Sequence, residues 1–329
     1  MLRIIYMGTP QFAVPALEAL IRGRTPAVVL PEGYEIVTVI TRPDKPAGRG
    51  QEINFSPVKQ TALAHGIPVW QPGSFKRPEN TAALAAYNAD LFIVAAFGQI
   101  LPEVVLDLPR FGTLNIHASL LPKYRGVSPI SEAILQGDTI TGVTIILLDA
   151  GVDTGPMLLK RTTPIAEDDT TGSLTPKLAR LGALALLEAL PLWVSSKITP
   201  VPQDNNAASY THKLQKEDGE LPWAESAALL VRMVRAYTPW PGAYTHWRGK
   251  LLKIISARAI PQSASAEPAT PGTVSVLQDA GHKLLLIATG DGSLVVTQLQ
   301  LEGKKAMSAE EFLRGYPQII GETLQPHSS

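Results

Sequence analysis

From Leu2 to Ser195 the sequence repeats one pattern: a short run of Val, Ile, Leu and Phe, a stretch of helical character, then another apolar run. Residues 2–7, 35–41, 67–70, 90–97, 113–117 and 141–149 read as strands. Residues 12–22, 56–65, 78–88, 129–136 and 170–195 read as helices. Pro15 and Pro57 fall in first helical turns, where a missing N–H costs nothing, and Ser56 is placed to cap its helix. Strands that alternate with helices predict an α/β fold, a mostly parallel sheet with helices on both faces. Ligands of such sheets bind beyond the carboxyl ends of the strands. The informative loops are therefore those after Met7, Thr41, Phe97, His117 and Asp149.

Composition then shifts. Residues 197–208 are rich in Pro, Gln, Asn and Ala and read as a linker between a domain spanning 1–196 and another spanning 209–329. Beyond it, short strands at 251–255, 272–276, 283–288 and 293–301 are separated by Gly, Pro and Asp, which predicts a small C-terminal β-barrel. A helix at 307–313 carries a capping box, Ser308 with Glu311 three residues on. The Ala/Ser/Pro/Glu stretch 263–270 reads as a loop.

With 329 residues, 45% of them apolar, the chain can bury two ordinary cores. Lys+Arg and Asp+Glu are equal at 29 each, so any polyanionic partner must be read from local patches. There is no cysteine, which excludes disulfides and thiolate metal sites. The apolar start at 2–7 is too short for a secretion signal, and no apolar run is long enough to span a bilayer; a soluble cytoplasmic protein without a membrane partner is expected.

The densest chemical cluster is Asn115-Ile116-His117-Ala118-Ser119-Leu120-Leu121-Pro122-Lys123-Tyr124-Arg125-Gly126. Asn115 and His117 are two apart at a strand end and leave on the same face. An amide donor beside an imidazole suits acyl transfer, because one can stabilise an oxyanion and the other can hold charge or move a proton. Alone, the two read as readily as strand-end caps; the Pro122/Gly126 turn and an acidic Gly loop after the next strand favour a site. That loop, Asp149-Ala150-Gly151-Val152-Asp153-Thr154-Gly155-Pro156, offers two carboxylates, either of which can orient the imidazole or take a proton from an attacking amine. The Met7-Gly8-Thr9-Pro10 turn has one glycine where a dinucleotide fingerprint needs three, which disfavours a nicotinamide enzyme.

The Asn-x-His-x-Ser-Leu-Leu-Pro-x-Tyr-Arg-Gly string with Val152-Asp153-Thr154-Gly155 resembles the 10-formyltetrahydrofolate-dependent formyltransferases. The opening Met7-Gly8-Thr9-Pro10-Gln11-Phe12-Ala13, Ala95-Ala96-Phe97-Gly98-Gln99-Ile100-Leu101-Pro102 and the 235–243 segment are similar to the branch of that family acting on methionyl-tRNA. The resemblance implies a Rossmann-like catalytic domain followed by an OB-like barrel that binds tRNA. It implies a catalytic trio of Asn115, His117 and Asp153, with Asp153 preferred to Asp149 because its spacing from His117 matches the family's. It implies 10-formyltetrahydrofolate as co-substrate, no metal, initiator methionyl-tRNA as the acceptor, and a monomer. The folate is expected against Phe97, Gly98, Gln99, Ile100, Leu101 and Pro102, and against Ser119, Leu120, Leu121 and Pro122.

By composition the polar loop 42–51 reads as a solvated surface loop; the resemblance makes it, with Arg42, Lys45 and Arg49, the loop that reaches the tRNA acceptor end, with Lys45 where the family often has Arg, which keeps the charge but loses the planar fork. Between Arg232 and Arg258 there is no Asp or Glu, and Arg235, Arg248 and Lys250 alternate with Tyr237, Trp240, Tyr244 and Trp247. Such a mixture can bind phosphates and stack on bases, although at least one of Trp240 and Tyr244 is expected in the core. Three other readings stay open: a formyltransferase for an amino-sugar nucleotide, a folate hydrolase, and a non-catalytic RNA-binding protein that kept the fold. The basic loop argues against the first two and the intact trio against the third.

Overall fold

The computed structural model describes residues 1–23, 33–47, 52–261, 269–279 and 281–324. The chain forms two compact units that are not contiguous in sequence. The first comprises Met1–Pro129, Ile140–Pro164 and Thr175–Thr211; the second takes Ile130–Thr139, Ile165–Leu174 and His212–Ser329.

In the first unit the expected alternation is present: β1 (Leu2–Gly8), α1 (Val14–Arg22), β2 (Tyr34–Ile40), α2 (Pro57–Ala64), β3 (Val69–Trp70), α3 (Pro78–Ala85), β4 (Leu91–Ala95) and β5 (Thr113–His117). Ser56 caps α2 by accepting from the Lys59 N–H. After α4 (Pro129–Leu135) come β6 (Ile140–Leu147), β7 (Met157–Pro164) and the long α5 (Thr171–Val194). The seven strands lie in the order β7-β6-β5-β4-β1-β2-β3, with helices on both faces. β1, β2, β3, β4 and β5 pair in parallel. Strand order reverses at β1, which has β2 on one side and β4 on the other. Ile4, Ile5, Tyr6 and Met7 of β1 are fully buried, as a strand covered on both faces requires.

Two strands depart from the parallel pattern. β6 runs antiparallel to β5, so Leu147 at its end lies beside Leu114 at the start of β5. Asp149 therefore leaves the sheet at the end opposite His117, and it is Asp153, further along the same loop, that returns to Asn115 and His117. β7 was not legible as a strand: its Lys160-Arg161-Thr162-Thr163 run has little apolar content, and its burial alternates as an edge strand's does.

Along β5 the side chains alternate. Ile116 faces α5, where Gly182 leaves room for it: a Cβ at Gly182 would stand 2.6 Å from Ile116 Cγ2. Asn115 and His117 consequently occupy the opposite face. The 197–208 segment, expected as a linker, is built into the first unit: Met157 and Val201 exchange backbone hydrogen bonds at 2.8 Å, and Tyr210–Thr211 pairs in parallel with Arg125–Gly126.

The second unit carries α6 (Ala227–Ala236), capped by Ser226, then β8 (Ala243–Trp247), β9 (Lys250–Ile260), β10 (Val274–Asp279), β11 (His282–Ala288), β12 (Ser293–Leu301) and α7 (Ala309–Gly315). The antiparallel sheet runs β8-β9-β12-β11-β10, with Met307–Ser308 added on β12. No pairing among the described residues joins β8 to β10, so the expected barrel is an open sheet. The capping box at Ser308 and Glu311 forms in full. Most of the 263–270 loop lies outside the described residues. No helix of the described chain is long and apolar enough to cross a membrane.

Because Gly182 sets the approach of α5 to the strand bearing Asn115 and His117, Gly182→Val is expected to cost about 1–3 kcal/mol through overpacking. A urea melt should show a lower midpoint with an unchanged slope; a parent-like midpoint would mean that α5 is not held at this distance.

Candidate active site

Asn115, His117 and Asp153 meet on one face of β5. Asn115 Nδ2 donates to Asp153 Oδ1 at 3.3 Å. His117 Nδ1 stands 3.5 Å from Asp153 Oδ2. The Gly126 N–H donates to the same Oδ2 at 2.8 Å. His117 Nε2 is bound to the Tyr124 carbonyl at 2.9 Å. A carbonyl can only accept, so that nitrogen carries hydrogen, and the form with hydrogen on both ring nitrogens has an acceptor for each. The Asn115 amide has a second N–H left for a ligand. Asn115 and His117 are 8% and 5% exposed, and the Asp153 side chain 14%, so a reacting group would be largely shielded from water.

The turn after β5 makes this geometry rigid. Ser119 Oγ donates to Lys123 O at 2.6 Å, and Thr144 Oγ on β6 donates to Ser119 O at 2.7 Å while accepting from Leu121 N. Tyr124 and Asp153 lie in the left-handed region, φ 62 and 52, a conformation that costs an L-residue on the order of 1–3 kcal/mol unless its surroundings hold it. Gly126, φ 104, must be glycine: a Cβ there would meet Thr211 O at 2.8 Å. Asp149 is spent on its own loop, accepting from Gly151 N at 3.1 Å and Thr154 Oγ at 2.6 Å.

The residues expected to hold folate separate into two groups. Phe97 and Leu101 belong to a buried apolar cluster with Met7, Ile40 and Phe92, and Ser119 and Leu121 are fully buried in the turn. Their side chains are core, which leaves their backbone atoms as what they can offer a ligand. Leu120 packs toward Gly142 of β6, Pro122 follows a cis peptide bond and Pro102 immediately precedes the short Glu103–Leu106 helix. Gly98 and Ile100 remain exposed, Ile100 at 77%, and Gln99 Nε2 donates to Pro72 O at 3.1 Å. What this stretch offers a ligand is backbone and the Ile100 side chain.

Thr9 joins three loops at the strand ends: its Oγ donates to Phe97 O at 3.2 Å and accepts from Arg42 N at 3.2 Å. The Arg42 side chain lies along Gly98, its Cδ 3.4 Å from where a Cβ would be. Asp44 pairs with Lys59 and accepts from Gln71 at 3.0 Å. Burial opposes ionisation of Asp44, but the Lys59 and Gln71 hydrogen bonds outweigh it and hold the carboxyl below its usual range. The Lys45 side chain and all of Arg49 lie outside the described residues.

In the second unit, Arg235 is turned inward, its Nη1 donating to the carbonyls of Ala166 and Asp169. Burial and the neighbouring Arg232 charge lower its pKa. Its guanidinium is therefore engaged by carbonyls of its own unit. Arg248 is exposed, paired with Glu322 and lying over the Trp247 ring at 5.5 Å. Lys250, Lys253 and Arg258 are exposed along β9. Trp240 is 55% exposed and Tyr244 only 6%, so one of that pair is core. Among the described residues no group of His, Asp or Glu could hold a metal ion.

Sequence reasoning missed the Gly126 N–H as a partner of Asp153, although the motif contains the residue, and it missed Gln203. Nothing in a Pro-Gln-Asp-Asn stretch distinguishes a connector from a docked segment.

Residues 2–190 match the formyl transferase family model, and residues 213–317 match that of the formyl transferase C-terminal domain. The methionyl-tRNA formyltransferase of Thiobacillus denitrificans is 49% identical over 95% of this chain and 96% of its own length. That of Hydrogenovibrio crunogenus is 46% identical over 98% of each. Among solved structures, the N-formyltransferase of Helicobacter canadensis in complex with folinic acid and dTDP-3-aminofucose superposes with TM-score 0.63 at 19% identity, over 90% of this chain and 99% of that one. HypX of Aquifex aeolicus in complex with tetrahydrofolic acid gives 0.58 at 20%, over 99% of this chain and 49% of that one. At those identities the structures speak for the fold alone. The whole-length sequence relatives carry more: the chain belongs to the formyl transferase family and, within it, to the methionyl-tRNA formyltransferases.

Proposed function

We propose that the chain transfers the formyl group of 10-formyltetrahydrofolate to the α-amine of initiator methionyl-tRNA, with Asn115, His117 and Asp153 as the catalytic trio. The observation that carries this reading is the meeting of the three side chains in a shielded site, in a chain 49% identical along its length to a relative of that name.

The chemistry follows from the donors and acceptors. The amine nitrogen bonds to the formyl carbon, and the carbonyl oxygen becomes an oxyanion. The free Asn115 N–H and the Nδ1 side of His117 stabilise it; His117 Nε2, tied to Tyr124 O, fixes the ring. Asp153 takes the amine proton directly or through water and holds the imidazole in place. The oxyanion then collapses to the carbonyl, the bond from the formyl carbon to the folate nitrogen breaks, and that nitrogen takes up, directly or through water, the proton that Asp153 accepted. Every step is served by side chains present here, with no metal. Folate lies against the 97–102 backbone and Ile100. Residues 1–196 supply the chemistry, and 209–329 contribute to tRNA binding through Arg248, Lys250 and the exposed face of β9, with Arg42 reaching the acceptor end.

The deciding assay is formyl transfer to charged initiator tRNA beside elongator methionyl-tRNA and free methionine. Transfer confined to the initiator species is expected; transfer to an amino-sugar nucleotide instead would overturn the acceptor. Asp153→Asn and His117→Ala are each expected to lower kcat about 10²–10⁴-fold while leaving the thermal melt intact. Parent-like turnover in either variant would remove that residue from the trio. Ser119→Ala is expected to lose about 1 kcal/mol of stability with an unchanged KM for folate; a raised KM would return Ser119 to the folate site.

A further inference from the structure

Gln203 lies on the segment that the sequence presents as a connector, yet every hydrogen-bonding valence of its amide is used beside the trio. Its Nε2 donates to two carbonyls of the acidic loop, Asp153 O at 2.7 Å and Gly155 O at 2.7 Å. Its Oε1 accepts from Arg125 Nε at 3.0 Å and Arg125 Nη2 at 2.9 Å. A primary amide has two N–H donors and an oxygen with two lone pairs, and all four are matched.

The amide's orientation is imposed. Arg125 is 1% exposed, and a guanidinium presents only donors. Its other hydrogen bonds run to Asn205 Oδ1 at 2.9 Å and Tyr210 Oη at 2.8 Å, and it sits 5.6 Å from the Tyr210 ring centre. The side of Gln203 facing it must be the oxygen, which turns the NH₂ toward Asp153 and Gly155.

That contact falls where the loop has least freedom. Asp153 has φ 52, and on the other side of the loop a Cβ at Gly155 would stand 1.8 Å from Leu147 O. Were the Asp153 peptide to relax out of the left-handed region, its carbonyl would leave Gln203. Its carboxylate would leave Asn115, His117 and the Gly126 N–H together.

We propose that Gln203, oriented by the buried Arg125, is a positioning residue for formyl transfer: it holds the Asp153 backbone in the conformation that aims the carboxylate at Asn115 and His117. The inference rests on the trio assigned above. Gln203 touches no substrate and acts through Asp153.

The test uses the full chain with Gln203→Ala, Gln203→Glu and a control, Asp204→Ala. The Asp204 carboxylate accepts from Asn206 N, at 2.9 Å, on the same segment. Gln203→Glu keeps the acceptor for Arg125 and replaces the NH₂ with an oxygen facing two carbonyls, so a merely structural role would spare it. Both Gln203 variants are expected to lose about 10–100-fold in kcat, with near-parent KM for tRNA and folate and a displaced pH profile of kcat. Asp204→Ala should keep the parent kcat. In an Asp153→Asn background, Gln203→Ala should cost no further kcat, because the residue it positions is gone. Parent-like kcat in the Gln203 variants beside an inactive Asp153→Asn overturns this inference alone. A fully additive loss in the double variant does the same. Parent-like kcat in Asp153→Asn removes the trio and this inference together.

Discussion

The Asp153 carboxylate is the point on which the site turns. One oxygen takes the Asn115 amide and the other takes the Gly126 N–H and faces His117. These partners come from a strand and the turn that follows it, and Asp153 itself from the loop between two antiparallel strands, so a single group registers three pieces of chain against one another. A buried carboxylate is tolerated only where hydrogen bonds replace its water, and here those bonds come from the groups whose placement the chemistry needs. The same contacts that make the charge affordable also fix its direction.

Most of the sheet was legible because its signals are local. Apolar runs bounded by Gly and Pro placed β1, β2, β4 and β5 within a residue or two, and the Ser56 and Ser308 caps formed as read. What was not legible depends on partners distant in sequence. The direction of β6 is set by pairing with β5, and no residue within 140–147 encodes it. β7 is an edge strand whose Lys160 and Arg161 hide its character. The barrel expectation failed on closure, which is a relation between first and last strands. Within the site, residue types announced Asn115 and His117, while the choice of Asp153 over Asp149 needed the family spacing until the geometry placed Asp149 at the far end of the sheet. Gln203 carried no signal, because its meaning lies in Arg125, Asp153 and Gly155, each far away along the chain.

The basic, aromatic stretch of the second unit shows why composition alone cannot locate a binding face. A Lys head must reach solvent, and Lys250 and Lys253 do. A guanidinium, more weakly hydrated and rich in donors, can instead satisfy carbonyls inside the fold. Arg235 does this at the C-terminal end of α6, and Arg125 does it in the first unit. Tyr244 and Trp240, four residues apart across a turn, differ widely in exposure. Sequence density of arginine and aromatics thus overstates such a surface, and the basic residues left exposed to it are Arg248, Lys250, Lys253 and Arg258.

The two halves of the proposed site obey different rules. The part offered to folate, around Ala96 and Gly98, lies beyond β4 next to the point where strand order reverses, as expected for a parallel sheet. The acid-base part lies where parallel pairing has ended and β5 meets β6 in antiparallel register. A parallel strand end offers backbone N–H and carbonyl groups to a flat ligand. The antiparallel hairpin loop folds its side chains back onto the face of β5, between strand and turn. Left-handed residues occur in both, Ala96 in one, Tyr124 and Asp153 in the other. That strain persists because each loop is tied elsewhere: Thr9 Oγ donates to Phe97 O, Ser209 Oγ accepts from Tyr124 N, and Gln203 holds Asp153 O. In the proposed mechanism, positional accuracy at the reacting atoms is therefore maintained by residues that never touch them.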